Sequence, residues 1–334
     1  MNSQHFFCGT NQYAIVADIG GTNARFSRVD LMNMDIDRIE VYRCADFSSL
    51  AGALTFYQQQ QGSLSSRQIA IAIACPVTHD LVNMTNFHWT FSINEMKQEM
   101  DLDHLHVMND FTAAAMSLPS LPADKKIQIG VGCTDSTKPM VVLGAGTGLG
   151  VAHLIPTANG FIPLPGEGGH VDWTAQTEQE WFIQRFLANQ YDHVSPERLL
   201  SGTGLENLYL AIAAYQKLSV TMLPAEEIAR LALAGQSPLA IDTVAQFFAS
   251  LGGFAGDLAL TLSAFGGVYI AGGIVPKLLP LMHDSEFRRR FEAKGRFSGF
   301  NREIATYVVT DEHPGLLGAA VYLKQMMASK NHGI

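Results

Sequence analysis

The first sustained apolar run, Ala14 to Ala17, has the character of a buried strand, and Asp18 interrupts it at its carboxyl end. Gly20-Gly21-Thr22-Asn23 follows, and the chain then resumes as a strand over 24–29, which leaves no room for a helix. The pattern predicts a β-hairpin, not the strand-to-helix turn of a dinucleotide site. A Gly-Gly pair often does nothing more than turn a hairpin. Asp18 makes that reading incomplete, because a carboxylate in an apolar strand needs a partner, and a turn rich in backbone N–H groups suits phosphate oxygens. Further on, 36–43 reads as a third strand, 49–60 as a helix, and 69–74 as a fully apolar strand stopped by Cys75-Pro76. Ser92 to Glu95 has the form of a capping box that opens a helix. A short strand over 105–108 ends in Asn109-Asp110. Strands alternating with helices predict an α/β domain.

From Lys138 the opening pattern returns. Met140 to Leu143 runs into Gly144-Ala145-Gly146-Thr147-Gly148-Leu149-Gly150, and a second strand follows over 151–154. The repeat suggests two domains with one ancestral core, each presenting a turn to a shared cleft. Two more capping boxes, Thr177 to Glu180 and Thr203 to Glu206, open amphipathic helices, the first with Trp181, Ile183, Phe186 and Leu187 toward a core. The long apolar segment 239–262 reads as a buried central helix, and 267–273 as a strand ending in glycines. A late strand over 304–309 precedes a last helix over 314–327, whose proline suits its first turn. No low-complexity linker separates the halves, so a packed, hinged joint is expected.

Composition narrows the chemistry. At 334 residues the chain has room for about two domains. A formal net charge of −9 argues against a nucleic-acid partner held through Lys and Arg. Cys8, Cys44, Cys75 and Cys133 are scattered and form no CxxC pair, which suggests a reducing, cytoplasmic setting. No basic n-region precedes an apolar h-region, and no apolar run approaches the length of a membrane span, so neither secretion nor a membrane partner is expected. Three standard motifs fail. Leu149 stands where a Rossmann fingerprint needs its third glycine, no Gly-Lys pair exists for a Walker A loop, and there is no HExxH.

Glycine hairpins with isolated carboxylates at strand ends remain, and here a resemblance becomes specific. Asp18-Ile19-Gly20-Gly21-Thr22-Asn23-Ala24-Arg25 resembles the first phosphate motif of the bacterial glucokinase family. Met108 to Ala113 resembles its catalytic segment, Gly144 to Gly150 its second phosphate motif, Leu164 to His170 its sugar loop, and Ala271 to Pro276 its adenosine motif. The five keep their order across nearly the whole chain. The resemblance implies an α/β, two-domain actin-like ATPase (ribonuclease H-like) fold. A smaller N-terminal domain over 1–120, completed by 311–334, and a larger one over 121–310 would flank a cleft for glucose and MgATP.

It also implies roles. Asp110 would be the general base for the sugar 6-hydroxyl, although an Asp after a strand can equally cap a helix. Asn109, Glu167, His170 and Glu197 would bind the sugar, since groups at fixed positions can read hydroxyl stereochemistry. Ala17, Asp18, Ile19, Gly20, Gly21, Thr22, Gly146, Thr147, Gly272 and Gly273 would line the ATP site. Asp18 would hold Mg²⁺ through water, with Asp110 expected across the cleft from it. Related sugar kinases carry a zinc cluster after the Gly-His of the sugar loop; here Val171-Asp172-Trp173-Thr174 follows with no cysteine, so no zinc is expected.

The activity so implied is ATP-dependent phosphorylation of D-glucose to glucose 6-phosphate by a cytoplasmic homodimer. The alternatives are a kinase for another hexose and a non-catalytic sugar-sensing relative. A DNA-binding regulator would need a helix-turn-helix ahead of the first strand, where only a dozen residues precede Tyr13.

Overall fold

The structure, a computed structural model, describes residues 12–62, 66–85 and 87–330. Cys8 and the segment on which a secretion signal was discounted lie outside these residues. The chain divides into two compact units, one running to Leu121 and resuming at Glu312, the other from Pro122 to Asp311.

In the first unit, β1 (Tyr13–Ile19), β2 (Asn23–Asp30), β3 (Ile36–Arg43), β4 (Gln68–Ile73) and β7 (His104–Asn109) form one sheet in the order β3-β2-β1-β4-β7. A separate pair, β5 (Leu81–Asn83) and β6 (Thr90–Ser92), is antiparallel. β1 runs antiparallel to β2 and parallel to β4, and β4 runs parallel to β7. Central position explains composition: β4 is buried at every residue, whereas edge strand β3 leaves Ile39 and Val41 exposed. One face of the sheet packs with α1 (Leu50–Gln60) and α2 (Ile93–Glu99). The other carries α3 (Asp110–Ser117) and α11 (Pro314–Lys330). These two helices touch so closely that a Cβ at Gly318 would stand 1.6 Å from the Ala113 carbonyl oxygen. Ser92 caps α2 as its sequence predicts, and Ser49, read as the first helical residue, instead caps α1; each accepts a backbone N–H.

The second unit has the sheet β11-β10-β9-β12-β13-β8, built from β8 (Lys126–Gln128), β9 (Met140–Ala145), β10 (Leu149–Thr157), β11 (Gly160–Gly166), β12 (Val268–Ala271) and β13 (Thr306–Val309). Its first five strands repeat the pattern of the first sheet: three antiparallel strands, then two parallel ones. The helices are α4 (Glu178–Ala188), α5 (Gly202–Tyr215), α6 (Ala225–Leu233), α7 (Pro238–Leu262), α8 (Val275–Met282), α9 (Phe287–Glu292) and α10 (Ser298–Glu303). They bury one continuous apolar core with the sheet.

Three expectations change. Thr203 does not cap α5; Ser201 does, two residues earlier, accepting from Gly204 N–H at 3.0 Å. Trp181 points to solvent, 53% exposed, while Ile183 and Leu187 of the same helix are buried. α7 is long and apolar enough to cross a membrane by length and composition, but 78% of its apolar window is buried inside this unit, so it is a core helix.

Deep in that core, Glu180 is fully buried and receives Arg290 through two hydrogen bonds, at 2.7 and 3.1 Å. Burial alone would raise its pKa, but hydrogen bonds from Arg290 and Gln246 hold it below the ordinary carboxylate value. The same carboxylate accepts Gln176 N–H at 2.7 Å, which fixes the strap that follows the 164–170 loop.

Candidate active site

In the first unit the β1–β2 connection is a tight turn in which Gly20 N–H donates to the Asn23 carbonyl at 2.9 Å. Thr22 O and Gly20 O accept from Cys44 N–H and Sγ, which holds the turn from below. A Cβ at Gly20 would find only Asn23 O, at an ordinary 3.6 Å, so the fold itself does not demand glycine there. Ala17 and Ile19 stand differently. Both are fully buried, and β2 and β4 pair with β1 on either side, so these residues shape the strand and present no surface to a phosphate.

Asp18 lies opposite Arg25 in the β1–β2 register, and Arg25 Nη1 donates to its Oδ2 at 3.0 Å. The carboxylate is 28% exposed. Burial raises its pKa; Arg25 and His313 oppose that rise. Gly315, in the first turn of α11, leaves room beside it, since a Cβ there would sit 3.3 Å from the Asp18 carboxyl carbon. Among the described residues Arg25 Nε is buried without a partner. Arg25, His313 and Gly315 escape a reading of local sequence because they reach Asp18 only through strand register and the return of the last helix.

Two strands away, β7 ends in Asn109. The helix cap is Asn109, not Asp110: its Oδ1 accepts Phe111 N–H at 2.9 Å and Thr112 N–H at 3.3 Å, while its Nδ2 donates to Cys75 O. Asp110 is the first residue of α3, and one oxygen accepts Phe111 N–H at 2.9 Å. Its pKa is raised to about 6, chiefly by burial, with the charge of Asp18 adding to the rise and the Phe111 N–H opposing it. The expectation that Asp110 stands across a cleft from Asp18 is therefore corrected. β1, β4 and β7 are neighbouring strands of one sheet, and Asp18 and Met108 both align with Ala72 of β4.

In the second unit the β9–β10 turn closes through Gly146 N–H to Gly148 O at 2.8 Å. Thr147 is exposed, and a Cβ at Gly146 would meet nothing within 4 Å. Gly272 and Gly273 are exposed at the end of β12, next to this turn. Gly272 has a reason of its own to be glycine: φ is +84°, and a Cβ would lie 2.4 Å from Ala145 O.

The 164–170 loop is pressed onto β10, where a Cβ at Gly169 would stand 2.1 Å from Leu149 O. That contact sets His170 Nε2 3.7 Å from Glu197 Oε2, and the same oxygen accepts Leu149 N–H at 2.9 Å. Behind the loop, His170 O is 2.9 Å from His193 Nε2. Glu167 is exposed beside it. Sequence-predicted residues thus gather in two sets, Asp18 with Asp110 in one unit and His170 with Glu197 and the second hairpin in the other.

The glucokinase family model matches residues 15–326. The glucokinase of Pectobacterium atrosepticum is 45% identical over 322 residues, covering 95% of this chain and 98% of that protein. Among solved structures, the glucokinase of an Antarctic psychrotroph superposes with a TM-score of 0.87 at 36% identity, over 93% of this chain and 98% of that one. A ROK family glucokinase from Streptomyces griseus, in complex with glucose and AMPPNP, is similar in fold with a TM-score of 0.61 at 18% identity, over 94% of this chain and 99% of that one.

Proposed function

The chain belongs to the glucokinase family, and from that membership we propose how its residues transfer the γ-phosphoryl group of ATP to the 6-hydroxyl of D-glucose. In this reading the two units are the smaller and larger domains of an actin-like ATPase, 1–120 with 311–334 and 121–310, closing on a cleft. Asp110 orients the 6-hydroxyl and accepts its proton. In a loose phosphoryl-transfer transition state the proton moves late, so a carboxylate is base enough. Asn109, Glu167, His170 and Glu197 hold the sugar; because Asn109 Oδ1 is committed to capping α3, its amide N–H group is what it can offer.

Gly20, Gly21 and Thr22, with Gly146 and Thr147, give backbone N–H groups to phosphates, and Gly272 and Gly273 leave space beside the nucleoside. Asp18 fits Mg²⁺: its carboxylate is a hard oxygen donor, Arg25 binds it through Oδ2, and it would hold a cation that keeps most of its water. The ion supplies charge neutralisation at the phosphates when bound. Among the described residues, no three His, Cys, Asp or Glu side chains gather as a metal cluster. A cytoplasmic homodimer completes the proposal.

One observation carries the assignment of the base: a half-buried carboxylate on the first residue of α3, directly after β7, its pKa raised by burial to about 6 and so still ionised at neutral pH. Asp110→Asn tests it. Glucose binding should persist while kcat in a coupled assay falls by about 10²- to 10⁴-fold. Near-normal kcat would eliminate Asp110 as the base, and a hexose panel in the same assay would expose a preference for another sugar.

A further inference from the structure

We propose that the Glu197 carboxylate couples the sugar-reading side chain His170 to the second glycine hairpin, and that Gly148 is the positioning residue that makes room for this coupling. The inference rests on the reading of His170 and Glu197 as sugar ligands and of Gly146 and Thr147 as phosphate contacts.

A single oxygen stands at the junction. Glu197 Oε2 accepts Leu149 N–H at 2.9 Å and lies 3.7 Å from His170 Nε2. Among the described residues Oε1 accepts no hydrogen bond, which leaves it for a ligand. The segment bearing Glu197 grips the hairpin a second time, because Gly202 N–H donates to Gly146 O at 2.9 Å. Between these grips Ser201 Oγ donates to Glu197 O at 2.8 Å, so carboxylate, helix cap and hairpin move together. The turn is thus held at both ends by one short stretch of chain, 197–202, that also carries a sugar ligand.

Gly148 has no backbone need to be glycine, since its φ lies outside the left-handed region. Its constraint is steric. A Cβ there would stand 2.7 Å from Glu197 Oε2 and 3.5 Å from Cδ, with no other atom within 4 Å. The atom displaced is the end of a flexible side chain, so alanine should move the carboxylate off Leu149 N–H without disturbing the fold. A sugar hydroxyl that fixes His170 and Glu197 then also fixes the amide that ends the turn, and a phosphate arriving at that turn finds it ordered. Binding at the two places is coupled, and by linkage the coupling is reciprocal.

The test is calorimetric titration of the full chain with Mg·AMPPNP, with and without saturating glucose. Wild type should bind the nucleotide about 5-fold or more tightly when glucose is present, the low end of usual coupling. Gly148→Ala should keep its thermal midpoint while that ratio falls toward one. Glu197→Gln, whose amide oxygen can still accept Leu149 N–H, should weaken glucose binding yet keep the ratio. A merely structural role for Gly148 would move the midpoint and leave the ratio alone. Failure of wild type to bind glucose would overturn the sugar-kinase reading and this coupling with it. Glucose turnover with a wild-type ratio of one, an unchanged ratio in Gly148→Ala, or its loss in Glu197→Gln would overturn the coupling alone.

Discussion

At Asp18 and at Gly144 the two sheets reach the same position, two residues before the first glycine of each turn, and carry opposite chemistry there. Asp18 puts a carboxylate in the strand itself, opposite Arg25. Gly144 faces Gly150 and brings no charge. The second hairpin instead borrows its carboxylate from Glu197, far along the chain, through Leu149 N–H. A strand-borne acid is fixed by sheet register and suits a role that must not shift, such as placing a metal ion. A borrowed acid sits on a short 3-10 turn, where it can respond to a ligand. The two hairpins share a backbone design and divide the work through the source of their charge.

The largest effect expected from this division is on Asp18→Asn. Loss of the strand carboxylate should lower kcat by about 10²-fold or more and raise the Mg²⁺ concentration needed for half-maximal rate. Folding should not suffer, since burial already disfavours the charged form of Asp18. If Glu197→Gln shifted the Mg²⁺ requirement as far, the division of labour would be broken.

Next come the glycines of the second hairpin and its neighbour. Gly272→Ala should cost about 2–4 kcal/mol in urea unfolding, because it combines a left-handed φ of +84° with a backbone clash. Gly146→Ala meets nothing within 4 Å and should change stability by less than about 0.5 kcal/mol, raising KM for ATP instead. Equal stability losses in the two would mean that Gly146, like Gly272, is held as glycine by the fold.

Much of this architecture is legible in the sequence because turns and caps are local. The strand-glycine-strand pattern gives both hairpins, and Ser92 and Thr177 mark two helix starts through their own side chains. Where two cap residues compete nearby, local reading fails, as with Thr203 against Ser201. Helical periodicity finds the apolar face of α4 but overextends it to Trp181, which lies beyond the buried stripe. The partners of the site residues are tertiary facts. Arg25 reaches Asp18 through strand register, Gly315 through the returning helix, and Glu197 reaches Leu149 across 48 positions of sequence. Asp18 and Asp110 are carried by strands of one sheet, Asp18 in β1 and Asp110 just after β7, for the same kind of reason, since strand order cannot be read from strand sequence.

The smallest expected effect is on pH dependence, and it links the strand-borne acid to the base. With Asp110 at about 6, protonation should remove activity as pH falls through that value, visible as an acid limb in kcat/KM. Asp18→Asn removes one of the causes of the raised value, so the limb should move to lower pH, though only partly, because burial is the larger cause. Stability should run the other way. A native pKa above the unfolded one gives stability that is fully present below the unfolded value, about 4, and is lost as pH rises through about 6. Asp110→Asn should escape that loss and gain up to about 3 kcal/mol over wild type at pH 8, measured by urea unfolding. A limb that stayed in place in Asp18→Asn would mean that the two carboxylates do not sense each other, and the first hairpin would then contribute charge to the metal alone.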